Sequence, residues 1–124
     1  MSTPRNILLM DEFENAMKGK YGPVSFGVVS GDITLTNWQG SIITQRGDIF
    51  EFEFKCFDDF PDTRPTITFN KNQLSNKTLS KLCNSDGCIN DDILKKFKWD
   101  KNTSIGEYLL EVKKFLDYWK YFFI

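Results

Sequence analysis

Residues 49 to 56 read Ile-Phe-Glu-Phe-Glu-Phe-Lys-Cys, and this stretch limits the fold more tightly than any other. Phe50, Phe52 and Phe54 alternate with Glu51, Glu53 and Lys55. A period of two puts the rings on one face and the charges on the other, so the segment is a strand of a sheet with one buried and one wet side. Its neighbours fit an antiparallel meander. Strands are predicted over about Val24 to Val29 and Ile33 to Ile43, with turns at Ser30-Gly31-Asp32 and Gln45-Arg46-Gly47-Asp48. A short fourth strand, about Thr66 to Phe69, follows Pro61 and Pro65.

Two helices bracket the meander. The first starts at Thr3-Pro4, with a hydroxyl cap and proline at the first helical position, and repeats Leu9, Phe13, Ala16 and Met17 at helical spacing. Gly19 and Gly22-Pro23 end it. The second opens with a capping box, Ser104 and Glu107, and carries Ile105, Leu109, Val112, Leu116 and Trp119 as its apolar stripe. Between Asn70 and Trp99 the chain is polar, with no sustained periodicity beyond one turn of helix around Asp91 to Phe97. It reads as a long loop, which inside a small domain is more often functional or partner-facing than accidental. No repeat or linker interrupts the order, so one α+β domain over residues 1–124 is expected.

Such a chain, 124 residues long and 40% hydrophobic, can build a core without metals or disulfides. Its 16 Lys and Arg against 17 Asp and Glu give a net charge of -1 and no field to gather nucleic acid or an anionic membrane; a protein partner fits better. The run Ile7-Leu8-Leu9-Met10 meets Asp11 and Glu12 too soon for a secretory leader, and the stretch from Tyr118 to Ile124 is too short to span a bilayer. Three cysteines read as reduced thiols of cytosol or nucleus.

Candidate chemistry is sparse. The chain has no histidine, which removes the usual general base and disfavours Ser-His and Cys-His nucleophiles. Cys83 and Cys88 lie in the polar segment as ordinary thiols, and with Cys56 their spacing matches no paired-cysteine zinc knuckle. Asp58-Asp59 and Asp91-Asp92 are adjacent and point apart, so they make poor acid–base pairs. Lys95-Lys96-Phe97-Lys98-Trp99 interleaves cations with rings but is flanked by acids, and reads as a solvated loop anchored by Trp99. No cofactor is expected. The meander holds the better candidate: Ile49 is in phase with the wet residues Glu51 and Glu53, while Ser25 and Ser41 share that outer face. A small uncharged patch on a sheet is a docking candidate.

Several motifs together resemble a known family. Pro4-Arg5-Asn6, Ser25-Phe26-Gly27, Asp32 through Gly40 with Thr34-Leu35-Thr36-Asn37-Trp38, Phe50 through Cys56, Phe60-Pro61-Asp62 and Pro65 through Phe69 are similar to the ubiquitin-conjugating enzyme variants. Within them, the chain resembles the branch that pairs with the conjugating enzyme making lysine-63-linked ubiquitin chains. Active relatives resemble His-Pro-Asn followed, after a spacer, by Gly-x-Ile-Cys-Leu-Asp-Ile-Leu. Here Gly87-Cys88-Ile89-Asn90-Asp91-Asp92-Ile93-Leu94 keeps the frame, with Asn90 at the thioester cysteine's position and Ser80-Lys81-Leu82 at the His-Pro-Asn positions. Cys88 falls two positions away.

The resemblance implies a ubiquitin-conjugating-like fold and a non-catalytic subunit. It would form a heterodimer with an active conjugating enzyme and hold an acceptor ubiquitin non-covalently, in the cytoplasm and nucleus, within the DNA damage response. It implies acceptor contacts at Ser25, Ser41 and Ile49, and a partner-enzyme interface at Pro4, Arg5, Asn6, Ile7, Leu8, Met10 and Asp11. Ile7 stands where the family has a Phe anchor. The loop from Thr44 to Asp48 is shorter than in the family, the segment from Asn70 to Asp86 is longer than in active enzymes, and Arg64 replaces a proline. The chain also stops soon after the second long helix, as variants lacking the last helices do. Two alternatives stay open: an active enzyme using Cys88, and a stand-alone ubiquitin-binding module.

Overall fold

A computed structural model describes residues 4–119. The elements run α1 (Arg5–Met17), β1 (Val24–Val28), β2 (Asn37–Ile43), β3 (Ile49–Lys55), β4 (Thr66–Phe69), the 3-10 turn Lys71–Gln73, α2 (Lys77–Leu82), α3 (Asp91–Leu94) and α4 (Ile105–Tyr118). The strands form one antiparallel sheet in chain order. Alternation in β3 is complete: Phe50, Phe52 and Phe54 are buried, while Ile49, Glu51, Glu53 and Lys55 are exposed. Phe54 stacks on Trp38 of β2 with centroids 5.6 Å apart, and Phe26 of β1 meets Phe54 edge-on at 5.7 Å. Helices α1 and α4 cover this inner face through Leu9, Ala16, Leu109, Val112 and Leu116.

Gly40 makes that ring packing fit. It stands between Phe26 and Phe52 in the cross-strand row, and a Cβ there would lie 2.5 Å from the Ser25 carbonyl oxygen and 2.9 Å from the Phe52 ring. The two helices are tied by Glu12. Its buried carboxylate accepts the Ile105 N–H at the start of α4 and the Tyr21 hydroxyl, the latter at 3.3 Å. Burial pushes the Glu12 carboxyl above its ordinary value, against the lowering effect of those bonds.

Three sequence expectations change. Pro4 is the N-cap of α1, not its first helical residue; with no side-chain cap, its carbonyl accepts the Ile7 and Leu8 N–H groups at 3.1 and 3.2 Å. Thr3, the expected hydroxyl cap, lies outside the described residues. The second strand begins at Asn37, not Ile33, because the Asp32 carboxylate gathers the Thr34, Thr36 and Asn37 N–H groups into a turn. Those donors are spent off the ladder. The segment after Asn70 is no simple loop: Asn76 caps α2 by accepting from the Thr78 and Leu79 N–H groups, and Leu79, Leu82, Ile89, Ile93 and Phe97 are buried. A six-residue helix is too short to show a period. Arg64, which replaces a proline of the family, donates to the Leu94 and Phe97 carbonyls at 3.0 and 2.9 Å. Trp99 anchors its loop as expected, donating to the Pro61 carbonyl at 2.9 Å.

Candidate functional site

Three places matter: the outer face of the sheet, the exposed side of α1, and the frame around Asn90. On the outer face, Ser25 pairs with Ser41 and Ser41 with Glu51 across three strands, and the two serine hydroxyls are 3.1 Å apart. Ile49 opposes Ile43 in the same register. Both are open to solvent, at 53% and 45%. The structure therefore unites the three residues singled out on this face, and adds Ile43. Alternation from the buried Ile42 could have found it. Alongside runs a shallow trough bordered by Ser25, Gln39, Ser41, Glu51, Glu53 and Thr68. An apolar pair beside a polar, hydroxyl-rich trough suits a folded protein surface better than a small molecule, which needs enclosure. Covering each half-exposed isoleucine would contribute about 1 kcal/mol.

On α1, Pro4, Asn6, Ile7, Met10 and Asp11 are exposed, whereas Leu8 is half-buried against the core. Ile7, 53% open, does not staple the helix inward. With Met10 it forms a small exposed apolar patch at helical spacing, and Met17 lies two turns further on, past the exposed Glu14. Arg5 behaves differently from its neighbours. Its guanidinium turns back over the fold and donates to the Thr34, Leu35, Cys56 and Phe57 carbonyls at 2.9, 3.3, 2.6 and 2.9 Å. It pins the loop before β2 and the loop after β3 to the start of α1. Those loops carry Ile33 and Phe57, 91% and 47% exposed, which the sequence reading left out.

The Asn90 frame lacks the parts of a nucleophilic site. Asn90 is the N-cap of α3, its N–H donating to the Leu82 carbonyl at 2.9 Å and its side chain making no capping bond. Ser80 donates to the Lys77 carbonyl at 2.8 Å, and Leu82 is buried. Cys88 is half-buried, bridged to Thr68 of β4, with its N–H on the Asn84 side-chain oxygen at 3.2 Å. Gly87 before it has φ +86, and a Cβ there would meet the Phe69 carbonyl oxygen at 2.4 Å, so only glycine lets this turn close on β4. Burial pushes the thiols of Cys56 and Cys83 up to about 12. Neither is a thiolate at neutral pH. Among the described residues no cluster of His, Cys, Asp or Glu could hold a metal ion, and no helix is long and apolar enough to cross a membrane.

No family model matches the chain. It is 31% identical over 123 residues to ubiquitin-conjugating enzyme E2 variant 1C of Arabidopsis thaliana, covering 90% of this chain and 79% of that one. It is 29% identical over 119 residues to the ubiquitin-conjugating enzyme variant MMS2 of Saccharomyces cerevisiae, covering 90% and 83%. Among solved structures it is similar to the E2 domain of a Toxoplasma gondii ubiquitin conjugating enzyme, with TM-score 0.69 and 25% identity over 90% of this chain and 73% of that one.

Proposed function

This chain belongs to the ubiquitin-conjugating enzyme variants, and from that premise we propose that it is the non-catalytic subunit of a heterodimeric conjugating enzyme. It holds an acceptor ubiquitin on the outer face of its sheet, so that one lysine is aimed at the thioester carried by an active partner and lysine-63-linked chains result. The observation that carries this reading is the outer-face constellation: Ser25 and Ser41 hydrogen-bonded across strands, beside the exposed pair Ile43 and Ile49. Acceptor positioning needs no nucleophile. It raises the effective concentration of one amine over its competitors, and a rigid sheet with a small apolar anchor can do so.

The exposed apolar pair of α1, Ile7 and Met10, supports a second and separate surface for the partner enzyme. Ile7 offers less area than the Phe the family resemblance implies, which lowers affinity by about 1 kcal/mol for a pocket shaped to a ring. Asn90 at the thioester position favours the non-catalytic role over the alternative that uses Cys88, whose surroundings offer no histidine to activate it. Three unpaired thiols suit the reducing cytosol or nucleus.

The test is reconstitution. The chain is mixed with activating enzyme, ubiquitin and the active conjugating enzyme it captures. The expected product is free lysine-63-linked chains, formed faster with Cys88→Ser or wild-type chain than without it. No stimulation, another linkage, or a reducible ubiquitin adduct on Cys88 would contradict the proposal.

A further inference from the structure

The backbone of β3 is paired unequally along its length. Toward β2 it is paired from Ile49 to Lys55, but β4 reaches only from Lys55 to Phe52 on the other edge. The Ile49 carbonyl and the Glu51 N–H and carbonyl lie beyond the end of β4. Past Phe69 the Asn70 N–H still donates to the Glu51 carbonyl at 3.0 Å, and the chain then turns away into the 3-10 turn Lys71–Gln73. The side chain of Gln73 returns to take the next place in the ladder. Its Oε1 accepts the Glu51 N–H at 2.8 Å and its Nε2 donates to the Ile49 carbonyl at 2.6 Å. The carboxamide is oriented by chemistry, since a backbone N–H needs an acceptor and a carbonyl needs a donor. One primary amide thus stands in for the missing peptide of a neighbouring strand.

Gln73 is itself fixed. Its N–H donates to the Asn70 carbonyl at 3.0 Å, the Asn70 side chain caps the turn by accepting the Asn72 N–H at 3.0 Å, and the adjacent Leu74 packs on the core. Ile49, by contrast, is the first residue of β3, directly after the turn from Thr44 to Asp48, where a strand frays most easily. Its side chain is the exposed apolar anchor of the outer face.

We propose that Gln73 is the positioning residue of the acceptor-ubiquitin surface, holding the start of β3 flat so that Ile49 stands beside Ile43. This rests on the reading that Ile49 receives the acceptor. Without the carboxamide, Ile49 is paired on one edge only, and docking must first order it. Gln73 touches ubiquitin through no atom of its own and acts through Ile49.

The experiment is a double-mutant cycle in ubiquitin affinity, read by titrating the isotope-labelled chain with ubiquitin and following amide shifts. Gln73→Ala is expected to raise Kd about fivefold, the loss of two modest hydrogen bonds shared between order and binding. The Glu51 amide should exchange faster in the free protein. In an Ile49→Ala background the same substitution should change Kd little, because the residue it positions is gone. An unchanged Kd for Gln73→Ala where Ile49→Ala weakens binding overturns this inference alone, as does full additivity of the two. An Ile49→Ala variant that binds like wild type overturns the acceptor reading as well. If Gln73→Ala does not fold, Gln73→Glu, which keeps the acceptor for Glu51 but sets a carboxylate against the Ile49 carbonyl, carries the same cycle.

Discussion

The outer face of the sheet and the exposed side of α1 are both left bare by a chain that buries most of its rings, yet they are held in opposite ways. Ser25, Ser41 and Ile43 are held in register by pairing across β1, β2 and β3, and a one-residue slip of β3 would turn Phe50, Phe52 and Phe54 outward. The loops beside Ile7 are tied to α1 through one side chain, since Arg5 donates to the Thr34, Leu35, Cys56 and Phe57 carbonyls, the Leu35 and Phe57 carbonyls being shared with the Trp38 indole N–H and the Phe60 N–H. The first arrangement is redundant across β1 and β2 and rests on a single side chain only at the start of β3, where Gln73 stands in for a strand. The second concentrates its support at one residue, where a single change has a large effect.

Arg5→Ala is therefore the sharpest way to break the contrast. It leaves carbonyls on two loops without their charged donor and should destabilise the fold by about 2–4 kcal/mol, read as a lower urea midpoint. Arg5→Lys should recover little, because an ammonium cannot reproduce the planar fork. Gly40→Ala attacks the sheet from inside. A Cβ set 2.5 Å from the Ser25 carbonyl oxygen must spread β1 from β2, at a cost of about 1–3 kcal/mol in thermal or urea unfolding. If Gly40→Ala proved neutral, the sheet would be more compliant than its packing implies.

The smallest expected effect is on pH dependence. The Thr34 hydroxyl and the Asn37 N–H hold the Asp32 carboxyl well below the usual carboxylate range. The stability this gives is present in full above the unfolded value of about 3.9 and is lost as pH falls through the lower folded-state value. Asp32→Asn should flatten the acid limb of the unfolding profile. Glu12 has the opposite sign, because burial raises it: its contribution is full below the ordinary carboxylate value and is lost as pH rises through the raised one. Glu12→Gln should remove that slope without touching the acid limb.

The same contrast explains what could be read in advance. Alternation in Phe50, Phe52 and Phe54 set the sheet, its inner face and the outward direction of Ile49, because a ladder converts sequence position into side-chain direction. Both long helices were legible from spacing, and α4 also from its Ser104 cap. Arg5 was grouped with Pro4 and Asn6 as a surface residue, since nothing local says that its head reaches loops thirty and fifty residues away in sequence. Helix α2 and the contribution of Leu79 and Leu82 to the core were missed for the same reason: each depends on tertiary contacts, and a short helix gives no period. Gln73 belongs to this class, its meaning visible only where β4 ends.

The separation of the two surfaces is tested most directly by one measurement on Ile49→Ala: the rate of lysine-63-linked chain formation at saturating heterodimer, with the heterodimer Kd determined on the same sample. The rate is predicted to fall about fivefold or more, as the loss of a half-exposed apolar anchor requires, with the heterodimer Kd unchanged. An unchanged rate, or a rate that falls only as far as heterodimer formation itself is weakened, would contradict the account.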